Sequence, residues 1–497
     1  MTVTTIVVPT MGRPSLHVLL EALVRQSHPV DAPVVLVDDR PGPDAVPIDV
    51  ATYPLDVTVV RTGGGGPARA RNIGWRHART PWVSFVDDDV LPDDDWYGLL
   101  LEDLDAVDGD DVAGVVGRLT VPLPTDRRPT DWERGTAGLE TSYWITADLS
   151  YRRDELSAVG GFDERFPRAF REDADLALRL GAEHGRVVPG RRHVTHPVRP
   201  ADDLASLRQQ KGNADDYLMR ALHGPGWQQR AGAPVGRRWV HAAVTAAGAV
   251  AVGGLLARRP RLAALGMGGW VLGTAEFAWR RIAPGPRDAA EVRRMLVTSA
   301  AIPAAATWHS VRGALRHRGA APWRGLPDLV LLDRDGTLVE DVPYNGDPDL
   351  VRPLPGAREA LDRLRGEGVR LAVVSNQSGV GRGLLTADQV DAVNGRVATL
   401  LGPFEGFYVC PHAPDDGCEC RKPAPGLIKQ ALADTGVPPD RTLMVGDIGA
   451  DMGAAEAAGV SGVLVPTPVT RREEVDTAPR VAETLSEVVE LALGGAW

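Results

Sequence analysis

Two successive α/β domains joined by an apolar helical segment are the fold class that this 497-residue chain predicts. Three observations carry the prediction. Short β-rich apolar runs alternate with helix-length stretches over residues 1–200. The same alternation restarts at residue 326. Between them, Trp239 to Ala257 runs for 19 residues without Asp, Glu, Lys or Arg. Strands spaced by helices build a mostly parallel sheet, which binds its ligands beyond the carboxyl ends of the strands.

In chain order, the first domain is assigned to residues 1–230. Ile6-Val7-Val8, Val34 to Val37, Val57 to Val60 and Trp82 to Val86 read as strands, each stopped near Pro, Asp or Gly. Residues 231–325 form the apolar segment and a linker. Trp239–Ala257 and Leu262–Trp279 are apolar and flanked by the arginine pairs Arg237-Arg238, Arg258-Arg259 and Arg280-Arg281. Length alone permits a membrane span. The first stretch is rich in alanine, however, and basic residues at every end give no orientation. Two readings stay open: peripheral lipid contact or a soluble helical hairpin. Glu291–Leu315 is helix-compatible, with Pro303 expected to bend or break it. Gly319 to Pro327 reads as linker. The last domain, residues 326–497, offers strands at Leu329–Leu332, Leu371–Val374, Gly406–Val409, Leu443–Val445 and Val463–Val465. The two α/β halves share no repeat, which argues for a fusion of different enzymes.

Composition excludes several classes. Apolar residues make up 43% and charged residues 24%, the balance of globular protein. A formal charge of −11 without basic runs argues against nucleic acid as a partner. Only three lysines occur, Lys211, Lys422 and Lys429, so each position is informative. The opening residues read as a strand and not as a signal peptide, and the expected compartment is the reducing cytoplasm.

The first domain concentrates acids at strand ends. Val83 to Val86 delivers Asp87-Asp88-Asp89 onto a loop. Alternation along the chain lets Asp87 and Asp89 aim into one cleft, where hard oxygens suit Mg²⁺ or Mn²⁺ and a diphosphate. Asp38-Asp39 follows the second strand. Gly66 to Gly74 precedes the acidic strand, and Gly160-Gly161-Phe162-Asp163-Glu164 and Arg171-Glu172-Asp173 come later. In order and spacing these motifs resemble the family 2 glycosyltransferases of GT-A fold over residues 3–200. The resemblance implies inverting transfer from a nucleotide-sugar donor to an acceptor the sequence does not name. It places Asp38 or Asp39 on the nucleotide, Asp87 near the donor, Asp89 on the Mg²⁺ or Mn²⁺, and Asp173 as the base. His193 or His196 could complete the metal shell, although a structural histidine is the simpler reading. A catalytically idle sugar-binding or membrane-docking module is the alternative for this half.

In the last domain, Asp333-Arg334-Asp335-Gly336-Thr337 follows an apolar strand directly. Phosphoryl transfer through an aspartyl-phosphate needs a nucleophilic carboxylate, a second carboxyl as acid/base, and Mg²⁺. Asp447, at another strand end, supplies a further metal ligand. Ser375 offers a hydroxyl to phosphoryl oxygens, and Arg421-Lys422 offers positive charge. This is the haloacid dehalogenase-like (HAD) phosphatase pattern, of Rossmann-like fold, over residues 328–470. The resemblance implies Asp333 as nucleophile and Asp335 as general acid/base. Asp333, Asp447 and the Asp335 carbonyl bind Mg²⁺, and Ser375 and Lys422 hold the phosphoryl group.

All three cysteines fall in one short stretch. Cys410-Pro411-His412 and Cys418-Glu419-Cys420 supply three thiolates and an imidazole, a closed set for structural Zn²⁺ that braces the loop to Lys422. Such loops mark two related phosphatases, those for D,D-heptose 1,7-bisphosphate and for histidinol phosphate. Asn376 to Gly383, with Ser378 and Arg382-Gly383, resembles the heptose enzymes, and the short loop from His412 to Cys418 departs from them. Asn376, Arg382 and Arg421 are therefore expected on a sugar bisphosphate, with histidinol phosphate as the alternative substrate.

Overall fold

The computed structural model describes residues 3–42, 45–107, 111–142, 144–495 and 497. The chain divides into two compact units, Met1–Pro322 and Trp323–Trp497. Both are α/β, as their sequence patterns predict.

The first unit holds an eight-stranded sheet: β1 Thr4–Thr10, β2 Val34–Asp38, β3 Val57–Arg61, β4 Trp82–Val86, β5 Leu91–Pro92, β6 Val112–Thr120, β7 Asp148–Arg152 and β8 Arg186–Thr195. The spatial order is β3-β2-β1-β4-β7-β6-β8-β5. β3, β2, β1 and β4 run parallel, so Thr10, Asp38 and Val86 end on one edge. β7 joins antiparallel to both β4 and β6. β1, β2 and β4 are buried along almost their whole length, as strands covered on both faces are. One core packs Leu16, Leu19, Leu20 and Leu23 against Ile6, Val8, Val34 and Leu36. The other packs Trp75, Phe85, Tyr151 and Phe162 together across the opposite face.

The apolar segment belongs to this first unit. Helices Arg238–Leu256 and Pro260–Ile282 form an antiparallel hairpin, followed by the long helix Ala289–Arg316. The break expected at Pro303 does not occur: the proline lies inside a helix 28 residues long in all. Pro303 is buried and its missing N–H removes one rung only. Thr307 Oγ1 donates to Pro303 O at 2.8 Å, and Thr245 Oγ1 meets Thr307 Oγ1 at 3.2 Å from the first hairpin helix. Packing on neighbouring helices holds the proline turn where an isolated helix would end.

The second unit is a five-stranded parallel sheet of β9 Leu329–Leu332, β10 Arg370–Asn376, β11 Phe407–Cys410, β12 Thr442–Gly446 and β13 Ser461–Leu464. The order β11-β10-β9-β12-β13 places β9 at the centre, with β10 and β12 on either side. Asp333, Ser375 and Asp447 therefore arrive on adjacent strand ends, which is what assembles the site.

Candidate active sites

In the first unit one buried cation organises the acids. Arg71, on the helix Pro67–His77, donates to Asp87 Oδ1 at 2.9 Å and to Glu172 Oε1 at 2.9 Å, and lies 3.8 Å from Asp173. Burial opposes its charge, but Asp87, Asp173 and Glu172 outweigh that and raise its pKa. Asp173, at the start of the helix Glu172–Glu183, accepts from Thr146 N at 3.1 Å and Thr146 Oγ1 at 2.9 Å. Burial pushes the Asp173 carboxyl up against Arg71 and both Thr146 donors. Burial and the charge of Asp173 push Glu172 up to about 8. Its Oε2 is buried without a hydrogen-bond partner.

The acidic turn after β4 splits three ways. Asp87 meets Arg71. Asp88 accepts from Thr10 Oγ1 at 2.6 Å and Arg13 Nη1 at 3.0 Å. Asp89 pairs with Arg199 and lies 3.7 Å from His196 Nε2. Burial and the Asp87 charge raise the Asp89 carboxyl, against Arg199 and His196. Asp89 Oδ1 is buried with no hydrogen-bond partner, so this side chain retains an acceptor that a divalent ion could fill. Of the two histidines, His196 faces Asp89. His193 turns to Asp93 at 2.9 Å and Thr120 at 2.8 Å.

Asp38 and Asp39 are already engaged. The Arg40 guanidinium, 2.7 Å away, holds the Asp38 carboxyl below the usual carboxylate range, with Arg61 at 3.5 Å. Asp39 accepts from Gly65 N at 2.7 Å, Gly66 N at 2.9 Å and Thr62 Oγ1. It thus shapes the glycine-rich turn leading to Arg71.

In the second unit Lys422 is buried between carboxylates. Its Nζ lies 2.8 Å from Asp333 Oδ1 and 2.6 Å from Asp451 Oδ1, and donates to Val374 O at 2.7 Å. Burial works against the ammonium, and Asp333 and Asp451 outweigh it and raise its pKa. Asp333, Asp447 and Asp451 are all buried, with ligand atoms within 4.8 Å of one another. Three hard oxygens converging in so small a space fit Mg²⁺. Burial, with the Asp451 and Asp335 charges, pushes Asp333 up to about 7 despite Lys422. Burial and Asp451 push Asp447 up to about 7. Gly336, at φ 78°, is required here: a Cβ would lie 2.3 Å from Asp447 Oδ2.

Around this cluster, Asp335 is held by Arg334 at 2.8 Å and by Gln377 Nε2 at 2.8 Å. The same Gln377 nitrogen donates to Ser375 Oγ at 2.8 Å. Asn376 is turned to Lys422: Oδ1 accepts from Lys422 N at 3.0 Å and Nδ2 donates to Lys422 O at 3.1 Å. Arg382 donates to Tyr344 Oη at 2.6 Å, and Arg421 has a buried Nη1 without a partner. Asp451 and Gln377 are site residues that sequence reasoning did not single out. The signal for Asp451 was its place four residues after Asp447 at a helix start.

Cys410, His412, Cys418 and Cys420 close into a second cluster. Cys410 Sγ is 3.7 Å from Cys418 Sγ and 3.3 Å from Cys420 Sγ, with Cys418–Cys420 at 3.5 Å. His412 Nδ1 lies 3.6 Å from Cys410 and 3.2 Å from Cys420. A tetrahedral ion with Zn–S of about 2.3 Å has ligand edges of about 3.8 Å, and a few tenths of an ångström of adjustment lets these residues fit Zn²⁺. Burial and the other two thiols push the Cys420 thiol up to about 12, a site that calls for a cation to hold thiolates.

Residues 5–163 match the sequence profile of glycosyl transferase family 2, and residues 419–491 match the HAD-hydrolase-like profile. The D-glycero-beta-D-manno-heptose-1,7-bisphosphate 7-phosphatase of Pseudomonas aeruginosa is 38% identical over 144 residues, covering 28% of this chain and 81% of that protein. The Pasteurella multocida protein of the same name is 34% identical over 178 residues, covering 33% and 96%. A crystal structure of the D,D-heptose 1,7-bisphosphate phosphatase from B. bronchiseptica, complexed with magnesium and phosphate, is 32% identical, covers 33% of this chain and 98% of that one, and has a TM-score of 0.31. The chain is an enzyme in which a family 2 glycosyltransferase domain is fused to a HAD-like phosphatase domain. By its second domain it belongs to the D-glycero-D-manno-heptose-1,7-bisphosphate 7-phosphatase family.

Proposed function

We propose that the second unit hydrolyses the 7-phosphate of D-glycero-D-manno-heptose 1,7-bisphosphate, leaving the 1-phosphate, and that the first transfers a sugar from a nucleotide-sugar donor. The observation that carries the phosphatase reading is the buried cluster in which Asp333 and Asp447, on adjacent strand ends, meet Lys422 and Asp451. Asp333 Oδ attacks phosphorus while the bond from phosphorus to the sugar oxygen breaks. Asp335 gives its proton to that oxygen, then takes one from the water that opens the aspartyl-phosphate. Lys422 and Ser375 hold the phosphoryl oxygens, with Gln377 orienting both Ser375 and Asp335. Asp333, Asp447 and the Asp335 carbonyl, with Asp451 added beside them, would hold Mg²⁺, which supplies positive charge against that building on the transferring group. Arg382 and Arg421 are assigned to the second phosphate of the substrate. The Cys410–His412–Cys418–Cys420 set would hold Zn²⁺ and brace the turn to Lys422.

In the transferase half, Asp173 takes the proton of the acceptor hydroxyl as that oxygen attacks the anomeric carbon. Asp89, with His196 beside it, would hold Mg²⁺ or Mn²⁺ against the leaving diphosphate, and Asp87, Asp38 and Asp39 shape the donor side. The thiols favour a reducing compartment, and the cytoplasm is the assigned location.

The test is phosphate release by the full chain from D-glycero-D-manno-heptose 1,7-bisphosphate and from histidinol phosphate, with Asp333→Asn beside it. Release from the bisphosphate, abolished in the variant, is the expected result. Preference for histidinol phosphate overturns the substrate assignment, and an active variant overturns the nucleophile.

A further inference from the structure

Two helices of the first unit are built inside out. Arg238–Leu256 and Pro260–Ile282 meet through small residues. A Cβ on Gly266 would lie 2.4 Å from Ala251 N, and one on Gly254 would lie 2.6 Å from Ala263 N. Val244, Trp270 and Phe277 face the neighbouring helix, while most of the other large side chains point outward. Leu255, Leu256, Leu265 and Leu272 are 63, 81, 72 and 73% exposed, and Trp239 and Trp279 are 75 and 63% exposed. Only 17% of the apolar window of the first helix is buried. A helix apolar on all sides is stable in water when it is buried on all sides, and this one is not. Scattered exposed leucines are ordinary; a continuous face of them marks an interaction surface.

The helix ends say what covers that face. Arg237, Arg238, Arg280 and Arg281 stand at one end with Trp239 and Trp279, the residue types of a headgroup layer. Glu276 neutralises part of this end through Arg237 and Arg280, and Asp131 pairs with Arg281. Arg258, Arg259 and Arg261 stand at the other end. Both ends are basic in a chain of net charge −11. A second copy laid on this face would set arginine against arginine in either direction, whereas lipid phosphates complement both ends. We propose that the α-helical hairpin of residues 238–282 inserts its outer face into a bilayer bearing anionic headgroups. This rests on no part of the catalytic reading.

The experiment is flotation of the full-length protein with vesicles of phosphatidylcholine and phosphatidylglycerol, against the variant Leu265→Glu/Leu272→Glu. Both positions are exposed, so the variant keeps its fold, checked by an unchanged far-ultraviolet circular dichroism spectrum and an unchanged unfolding midpoint of the first unit. The wild type is expected to float, to stay bound in 1 M salt, and to show tryptophan quenching by brominated acyl chains. The variant is expected to lose about tenfold or more of the bound fraction. Wild-type protein that stays with the soluble fraction overturns the proposal. So does release by salt with no quenching, or a vesicle-free dimer that the variant dissociates.

Discussion

Asn376 and Lys422 hold each other by both ends of an amide: Lys422 N donates to Asn376 Oδ1 at 3.0 Å, and Asn376 Nδ2 donates to Lys422 O at 3.1 Å. The side chain fixes the backbone from which the buried ammonium reaches Asp333. Replacing it with alanine leaves that backbone unpaired, at a cost of about 1–3 kcal/mol. Asn376→Ala is expected to lower phosphatase kcat by roughly tenfold with a smaller change in KM, since the ammonium is displaced and not removed. Steady-state kinetics check this, and an unchanged kcat refutes it.

Asp451 should matter as much as the acids of the strand ends. Asp451→Asn keeps the shape but removes the charge facing Lys422 and the metal cluster. Phosphatase kcat/KM is expected to fall on the order of a hundredfold, with a higher Mg²⁺ requirement. Titration of activity with Mg²⁺ separates the two effects.

The carboxyls also predict a pH dependence. Asp333 and Asp447 each stand at about 7, against an ordinary 3.8, mainly through burial. The metal-free folded state therefore holds these protons more tightly than the unfolded chain. Its stability falls as pH rises from about 4 through about 7 from this source, and no further above that. A cation that replaces the protons reverses the loss. Mg²⁺ should raise the melting temperature more at pH 8 than at pH 6; equal shifts contradict the assignment.

Purified protein should carry about one Zn²⁺ per chain that survives a chelator wash sufficient to strip Mg²⁺. Cys418→Ser is expected to lose the zinc, part of the stability of the second unit, and much of the phosphatase rate. Elemental analysis of zinc-free protein together with a fully active variant would remove the site.

Arg71 is the one charge shared by Asp87, Glu172 and Asp173. Arg71→Ala leaves buried carboxyls without it, which costs about 3–5 kcal/mol. The unfolding transition of the first unit should move to lower denaturant while phosphate release at low denaturant is retained.

The parallel strands are legible because each carries a short run rich in β-branched and other apolar residues, bounded by polar residues, Gly or Pro. The cysteine cluster was legible because its ligands lie within eleven residues. β6, β7 and β8 were not assigned: their polar and apolar residues mix, and their partners are remote in the chain. The counter-ions were hidden for the same reason. Nothing local marks Arg199 as the partner of Asp89 or Arg71 as the partner of Glu172. The continuity of the helix through Pro303 depends on neighbours that a local rule does not see.

The distance along the chain between partners has a consequence for synthesis. Asp89 and Arg199 are 110 residues apart, Arg71 and Glu172 are 101, and Asp333 and Lys422 are 89. A ribosome releases the acidic turn of the first unit long before Arg199 that meets it, and Asp333 long before Lys422. For that interval neither cluster has its counter-ion, and each site can be completed only when its later partner has been delivered, the first unit before the second.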